Sequence, residues 1–85
     1  MRESPSTIRL TLSLGPVVRE RAGRGERRLT IETPATSPAA LMQWLGIADI
    51  AGDLMVVVNH HMLVDDSTPL NDGDQVGLYL PFEGG

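Results

Sequence analysis

Ile8-Arg9-Leu10-Thr11-Leu12-Ser13-Leu14 alternates apolar and polar residues, the period of a strand with one buried face. Gly15-Pro16 stops it, and Val17 to Ala22 has room for one or two helical turns before Gly23-Arg24-Gly25 breaks the pattern. A second strand is predicted over Arg27 to Glu32, with Leu29 and Ile31 on one face, followed by a connection at Thr33-Pro34-Ala35-Thr36. Ser37 then reads as a helix N-cap with Pro38 in the first helical position, where a missing N–H costs nothing. Leu41, Trp44 and Leu45, three and four apart, make one apolar stripe on a short helix that Gly46 ends. A lone Trp on such a stripe belongs to the core or its rim, so Trp44 is assigned a structural role.

The run Leu54 to Asn59 suits a strand covered on both sides, and Met62-Leu63-Val64 is its short partner. Asn59 tolerates the left-handed conformation of a tight turn and marks the reversal. Asn71-Asp72-Gly73-Asp74 is a strong turn, and Gln75 to Leu80 alternates as a last strand with Val76, Leu78 and Leu80 inward. This order predicts an α+β fold, a mixed four- to five-stranded sheet with one main helix packed on one face. Because a helix crossover follows the first hairpin, strand 1 and the last strand are expected side by side at the centre. Residues 1–7 are read as a flexible N-terminus, 8–80 as the domain and 81–85 as an extended tail. No internal repeat, linker or heptad pattern interrupts the chain.

Eighty-five residues, 41% hydrophobic and 21% charged, fit one small core. The longest apolar run, Leu54 to Val58, is five residues, far from the ~20 that a membrane span needs. With no apolar export signal near Met1, the expected location is the cytoplasm. Cysteine is absent, which excludes disulfides, thiolate nucleophiles and cysteine-ligated metal sites. Lysine is absent too, so Schiff-base chemistry is excluded and no side-chain amine can accept an isopeptide bond. The net charge of −4 conceals a division: residues 1–28 hold all seven arginines, and residues 29–85 hold eight acids and no base. That division argues against nucleic acid as the main partner and for a basic docking surface on another protein, the plain alternative being that the two parts offset each other in the fold. The run Arg19, Arg21, Arg24, Arg27 and Arg28 reads chiefly as a solvated face of the first hairpin, with contact to RNA or an acidic partner as the alternative.

Candidate chemistry is sparse. His60 and His61 are adjacent, but neighbouring side chains in a turn diverge and no further ligand pair is spaced to join them, so no metal site is expected. Asp65-Asp66 lacks the spacing and central glycine of a calcium loop and reads as solvated turn acids. There is no nucleophile elbow or glycine-rich phosphate loop, which argues against an independent enzyme. The chemically suggestive feature is Pro81-Phe82-Glu83-Gly84-Gly85. Two glycines have the slimmest backbone available and can thread a narrow channel to present the Gly85 carboxylate to another protein's active site. The plain alternative is an ordinary frayed terminus.

The chain resembles the MoaD/ThiS group of ubiquitin-like sulfur carriers, which have the β-grasp fold. The resemblance runs from about Ile8 to the end. It is carried by Val18-Arg19-Glu20-Arg21-Ala22-Gly23 after the first strand, Val58-Asn59 before the tight turn, Leu70-Asn71-Asp72-Gly73-Asp74-Gln75-Val76 into the last strand, and Gly84-Gly85. The Arg-Glu-x-x-Gly segment is closer to the MoaD-like branch, the small subunit of molybdopterin synthase. The resemblance implies a carrier protein, not an enzyme: a MoeB/ThiF-type activating enzyme would use ATP to adenylate the Gly85 carboxylate. A persulfide sulfur would then displace AMP to leave a thiocarboxylate, for delivery to a MoaE-like or other acceptor synthase in cofactor or other sulfur-metabolite biosynthesis. Gly84 supplies clearance, and Pro81, Phe82 and Tyr79, with Leu80 read chiefly as core, form an apolar anchor. Many family members carry small apolar residues where this chain has Phe82-Glu83, and Glu83 calls for a compensating Arg or Lys in the activating enzyme. No permanently bound cofactor, metal, nucleic acid or membrane partner is implied. A non-covalent β-grasp binding or regulatory module, or a ubiquitin-like protein modifier, is the alternative reading.

Overall fold

The computed structural model describes residues 7–63, 65 and 67–81. Strand β1, Ile8–Leu14, turns every second residue inward, so that Leu10, Leu12 and Leu14 are buried while Arg9, Thr11 and Ser13 face away from the core. Helix α1, Pro16–Arg21, buries only Val18, and β2, Arg28–Thr33, pairs antiparallel with β1 from Ile8 opposite Thr33 to Ser13 opposite Arg28. The predicted second strand is thus shifted by one residue at each end. Thr33 joins it because its side chain is fully buried and its Oγ1 accepts the Ala35 N–H at 3.1 Å, closing the turn that leaves the strand.

Helix α2, Pro38–Leu45, begins where Ser37 Oγ accepts the Ala40 N–H. It ends at Gly46, whose φ of +80° suits a residue without Cβ. The Ile47 N–H then returns to the Met42 carbonyl, and both side chains are completely buried. The buried stripe is Pro38, Leu41, Met42 and Leu45, with Trp44 41% exposed beside it. Trp44 is therefore at the rim, and Met42 fills the core position. At about 100° per residue, positions 41, 45, 38 and 42 follow one another around the helix at steps of about 20–40°, while 44 lies about 60° beyond 41, off the stripe. The Arg24 guanidinium lies 5.7 Å from the Trp44 ring centroid, within cation–π range.

A 3-10 helix over Ala48–Asp53, not anticipated from the pattern, leads into β3, Met55–Val58. β4 is His61–Leu63, one residue earlier than predicted, and β5 is Gln75–Tyr79. The sheet order is β2-β1-β5-β3-β4, with β1 and β5 parallel at its centre and the other described pairs antiparallel. Of β3 only Val56 is buried, so this strand is covered on one face and not on two. Leu80, past the end of β5, packs part-buried against the core.

The core lies between one sheet face and α2. Leu10, Leu12, Ile31, Val56, Val76 and Leu78 meet Leu41, Met42 and Leu45 there, with Leu70 and Ile47 closing the edges. Each fully buried aliphatic chain of this size stabilises the fold by about 1.5–3 kcal/mol. Among the described residues, no helix lies over the other face of the sheet.

Candidate functional site

Among the residues singled out from the sequence, Tyr79 and Pro81 are described; Phe82, Glu83, Gly84 and Gly85 lie outside the described residues. β5 holds the start of the tail firmly. Its Val76 and Leu78 are buried, it pairs with β1 on one side and β3 on the other, and the Gly15 N–H donates to the Leu78 carbonyl at 3.1 Å. Tyr79 is half-buried on the helix-free face, and Pro81 is exposed.

Tyr79 does more than stand beside the tail. Its ring folds back over Gly77, two residues earlier on the same face, so closely that a Cβ at position 77 would lie 2.6 Å from Tyr79 Cε2 and 3.0 Å from the hydroxyl oxygen. Only a residue without a side chain admits the ring there. The gap left around Gly77 is a shallow depression of about 140 Å³, bordered by Ser13, Arg28, Val57, His60, Gln75 and Tyr79. Sequence reasoning treated Gly77 as one more strand residue. The available signal was a glycine inside an alternating run, which marks a close approach of backbone or ligand.

Two of the stretches that carry the family resemblance, Val58-Asn59 and Leu70 to Val76, meet in space as one hydrogen-bonded clip. Asn59 Oδ1 accepts the Gln75 N–H and its Nδ2 donates to Asp74 Oδ1, both at 2.9 Å. The Asn59 N–H donates to the Gln75 carbonyl at 2.8 Å. Asp74 Oδ2 accepts the Asn71 N–H at 2.8 Å, which closes the turn. That turn is tied to β1 by the Arg9 N–H donating to Asp72 Oδ1 and the Gly73 N–H donating to the Arg9 carbonyl, both at 2.7 Å. The clip fixes where β5 starts and hence where the tail leaves.

Asn59 and His60 are the two loop residues between Val58 and its partner His61, and both have positive φ, 51° and 73°. This is the twist that a two-residue hairpin turn requires. No group of three or more metal-ligating side chains comes together among the described residues. Asp65 is a turn acid as expected: its Oδ1 accepts from the Ser67 N–H at 2.9 Å and from the Ser67 hydroxyl at 2.6 Å, which holds its carboxyl below the usual carboxylate range. Asp66 is outside the described residues.

Charge is sorted differently in space than along the chain. Glu32, Asp72 and Asp74 gather where β1 begins, with Arg9 paired to Glu32 at 2.9 Å. Arg27 and Arg28 stand where β1 ends, since Leu14 donates its N–H to the Arg27 carbonyl and Ser13 pairs with Arg28. β5 runs parallel to β1, so the tail leaves from this second, basic end. Arg21 pairs with Asp49, while Arg27 and Arg28 have no ion pair among the described residues. The end of the sheet from which the tail departs is thus the basic one, and Glu32, Asp72 and Asp74 gather at the other. Summing charge along the chain hid this, because the parallel β1–β5 pairing brings an early arginine segment beside the last strand.

A family model for the ThiS family matches residues 17–85. The chain belongs to the ThiS family. Comparison with curated proteins gives no match. A chain in a complex of subunits 1 and 2 of molybdopterin-converting factor from Helicobacter pylori is 25% identical with a TM-score of 0.60, over 92% of this chain and all of that one. A molybdopterin converting factor subunit 1 from Pyrococcus furiosus is 20% identical with a TM-score of 0.65, over 87% of this chain and 98% of that one. A Caldiarchaeum subterraneum ubiquitin shares the fold at 16% identity and a TM-score of 0.57, over 94% and 100%. The α+β, β-grasp architecture is thus the ubiquitin-like one, and this ThiS-family chain has a sulfur-carrier, ubiquitin-like role, as a small carrier and not a catalyst. No helix among the described residues is long and apolar enough to cross a membrane.

Proposed function

We propose that the carrier function is exercised through the Gly85 carboxylate. The observation that carries this reading is that the ThiS-family match extends through residue 85 and so takes in Gly84-Gly85, which follow the core-anchored strand β5 after Leu80, Pro81, Phe82 and Glu83. A MoeB/ThiF-type enzyme activates the carboxylate: one of its oxygens attacks the α-phosphorus of ATP, pyrophosphate leaves, and the acyl-adenylate carries AMP as a good leaving group. A persulfide sulfur then attacks the carbonyl carbon and expels AMP. A thiol reduces the resulting S–S bond, leaving a thiocarboxylate on Gly85. ATP belongs to the partner's reaction and is not a cofactor of this chain.

Supporting this chemistry, the chain has neither Cys nor Lys, so the activated acyl group meets no competing thiol or side-chain amine of its own. Gly84 gives clearance in the partner's channel, and Tyr79, Pro81 and Phe82 supply apolar contact beside it. Glu83 adds a second negative charge next to the carboxylate, which the activating enzyme offsets with Arg or Lys near the ATP phosphates. The likeness to a chain of the Helicobacter pylori complex of subunits 1 and 2 supports a larger, MoaE-like synthase subunit as the acceptor of the sulfur.

Intact mass and tandem fragmentation of the chain purified from its host test the reading. A fraction heavier by the difference between one sulfur and one oxygen, localised on Gly85, is expected. It should rise on incubation with ATP, a sulfur source and the host's activating enzyme, and vanish when one residue is added after Gly85. A Gly85 carboxylate that stays unmodified under all these conditions overturns the carrier mechanism, and an isopeptide adduct on another protein would replace sulfur delivery with conjugation.

A further inference from the structure

Strand β2 ends the sheet on one side: β1 pairs with its inner edge, and no described strand lies along its outer edge. In an antiparallel pair, alternate residues turn their backbone groups toward the partner and away from it. The Leu14 N–H donates to the Arg27 carbonyl, so the residues in phase with Arg27, which are Leu29 and Ile31, face β1. Arg28, Thr30 and Glu32 then turn their N–H and C=O groups outward. The same phase holds on β1, where Thr11, opposite Thr30, donates its N–H away from β2 to the Asp74 carbonyl. Arg28, Thr30 and Glu32 are all exposed. An open row of backbone donors and acceptors is a template for a further strand unless its side chains forbid one.

The charges on this edge are complementary to themselves. Arg28 and Glu32 stand at equal steps on either side of Thr30, and Arg28 has no ion pair among the described residues. A second copy laid antiparallel with Thr30 opposite Thr30 sets each Arg28 against a Glu32, and every pair so formed joins residues whose backbone groups face outward. On the helix side Leu29, part-buried at the rim of the core, meets Ile31 of the other copy. Other registers fail. A shift of two residues brings Glu26 against Glu32 or sets Arg28 opposite Pro34, which has no N–H, and a shift of four sets Arg28 against Arg28 or Glu32 against Glu32. An odd shift sets outward-facing backbone groups against inward-facing ones.

We infer that β2 pairs with β2 of a second copy of this chain, antiparallel about Thr30, so that the two sheets become one continuous sheet with a twofold axis between the two copies of Thr30. Sign decides the occupant. A strand of one charge would be repelled at Arg28 or at Glu32, whereas the twofold axis presents to this edge the reverse order of its own charges. Glu32, already paired with Arg9 at 2.9 Å, then lies between two guanidiniums, Arg9 of its own chain and Arg28 of the other. One strand edge buries less than about 1,200 Å², the low end for specific interfaces, so association belongs to the high-micromolar range. β1 stands between β2 and β5, so the pairing leaves the strand that leads into the tail uncovered. The inference does not depend on the carrier mechanism.

Sedimentation equilibrium of the full chain in 0.1 M salt, from about 10 μM to about 1 mM, should show the mass rising from 9.2 kDa toward twice that value. Arg28→Glu sets like charges opposite each other twice in the pair, and so does Glu32→Arg. Each variant alone should therefore dimerise about 10-fold more weakly or worse. Mixed in equal amounts, the two variants restore both opposite-charge pairs, and the mixture should dimerise within about threefold of wild type. At 1 M salt, where the Debye length falls from about 10 Å to about 3 Å, these differences should shrink. Amide hydrogen exchange reads the register: the outward amides of Arg28, Thr30 and Glu32 should slow as concentration rises, and those of Leu29 and Ile31, already facing β1, should change far less. Both substitutions are at exposed positions, and an unchanged circular dichroism spectrum verifies that each variant is folded. A chain that stays monomeric to about 1 mM overturns the inference. A dimer that the single variants form as readily as wild type also overturns it and places the contact elsewhere, on the β4 edge or the helix side. A mixture as weak as its two components overturns the proposed register and the pairing with it.

Discussion

Replacing Asn59 separates two contributions that the sequence alone merges. Its side chain makes two hydrogen bonds of 2.9 Å, to the Gln75 N–H and to Asp74 Oδ1, and its backbone sits at φ +51°. Asn59→Gly keeps the backbone conformation accessible and removes only the hydrogen bonds. At an exposed position each contributes at the low end of the usual range, so the loss is about 1–2 kcal/mol. Asn59→Ala removes the same bonds and also forces a side chain bearing Cβ into the left-handed region, which adds about 1 kcal/mol. The alanine variant is therefore expected to be destabilised by about 2–3 kcal/mol, which in a domain of this size lowers Tm by roughly 8–20 °C. Urea denaturation followed by circular dichroism gives both values, provided the slope m is unchanged. Combining either substitution with Asp74→Ala should give less than the sum of the single effects, because the two side chains share a bond. Equal stabilities for Asn59→Gly and Asn59→Ala would refute the backbone argument. A glycine variant as stable as wild type would refute the hydrogen-bond argument, and with it the view that the clip sets the start of β5.

Two further outcomes follow from neighbouring geometry. His60 occupies the second left-handed position of the same hairpin, at φ 73°, and Gly is the preferred residue there, so His60→Gly should stabilise the protein by about 0.5–1 kcal/mol in the same denaturation assay. Asp65, whose carboxyl is held below the ordinary 3.8 chiefly by the Ser67 hydroxyl and then by the Ser67 N–H, contributes stability that is present above the unfolded-state value and lost as pH falls through the folded-state one. An NMR titration should show the Asp65 transition moving upward in Ser67→Ala, with the acid arm of the stability profile losing that contribution; an unmoved transition would mean that the hydroxyl bond is not formed in solution.

The fold was legible where local chemistry and tertiary context agree. The alternation of Ile8–Leu14 survives in the structure because one face of β1 packs on α2 and the other meets no helix, and the Ser37–Pro38 start and Gly46 stop of α2 are decided by hydrogen bonds within a few residues. The adjacency of β1 and β5 also followed from chain order and crossover rules. Misreadings fall where the answer depends on something distant. The run Leu54–Val58 is as apolar as a strand buried on both faces, yet among the described residues the helix layer covers one face of the sheet, so just Val56 is buried in β3. The stripe read from the spacing of Leu41, Trp44 and Leu45 left out Met42, which takes a core site while Trp44 stands at the rim, as a lone Trp on such a stripe can. The 3-10 helix over Ala48–Asp53 had no periodicity long enough to announce it.

The proposed reactive end and the surroundings from which it leaves were not equally visible, for a physical reason. A reactive end needs only its own residues, so Gly84-Gly85 after the last strand can be read directly from sequence. A face is an arrangement between strands: Arg28, Ser13, Gly77, Val57 and Met62 are scattered between positions 13 and 77 of the chain and are joined only by the β2-β1-β5-β3-β4 register. The sequence contained one indication, the glycine at 77, and a charge sum that pointed the other way. The parallel pairing of β1 with β5 resolves the conflict, since it places Arg27 and Arg28 at the end of the sheet from which the tail departs and Glu32, Asp72 and Asp74 at the far end.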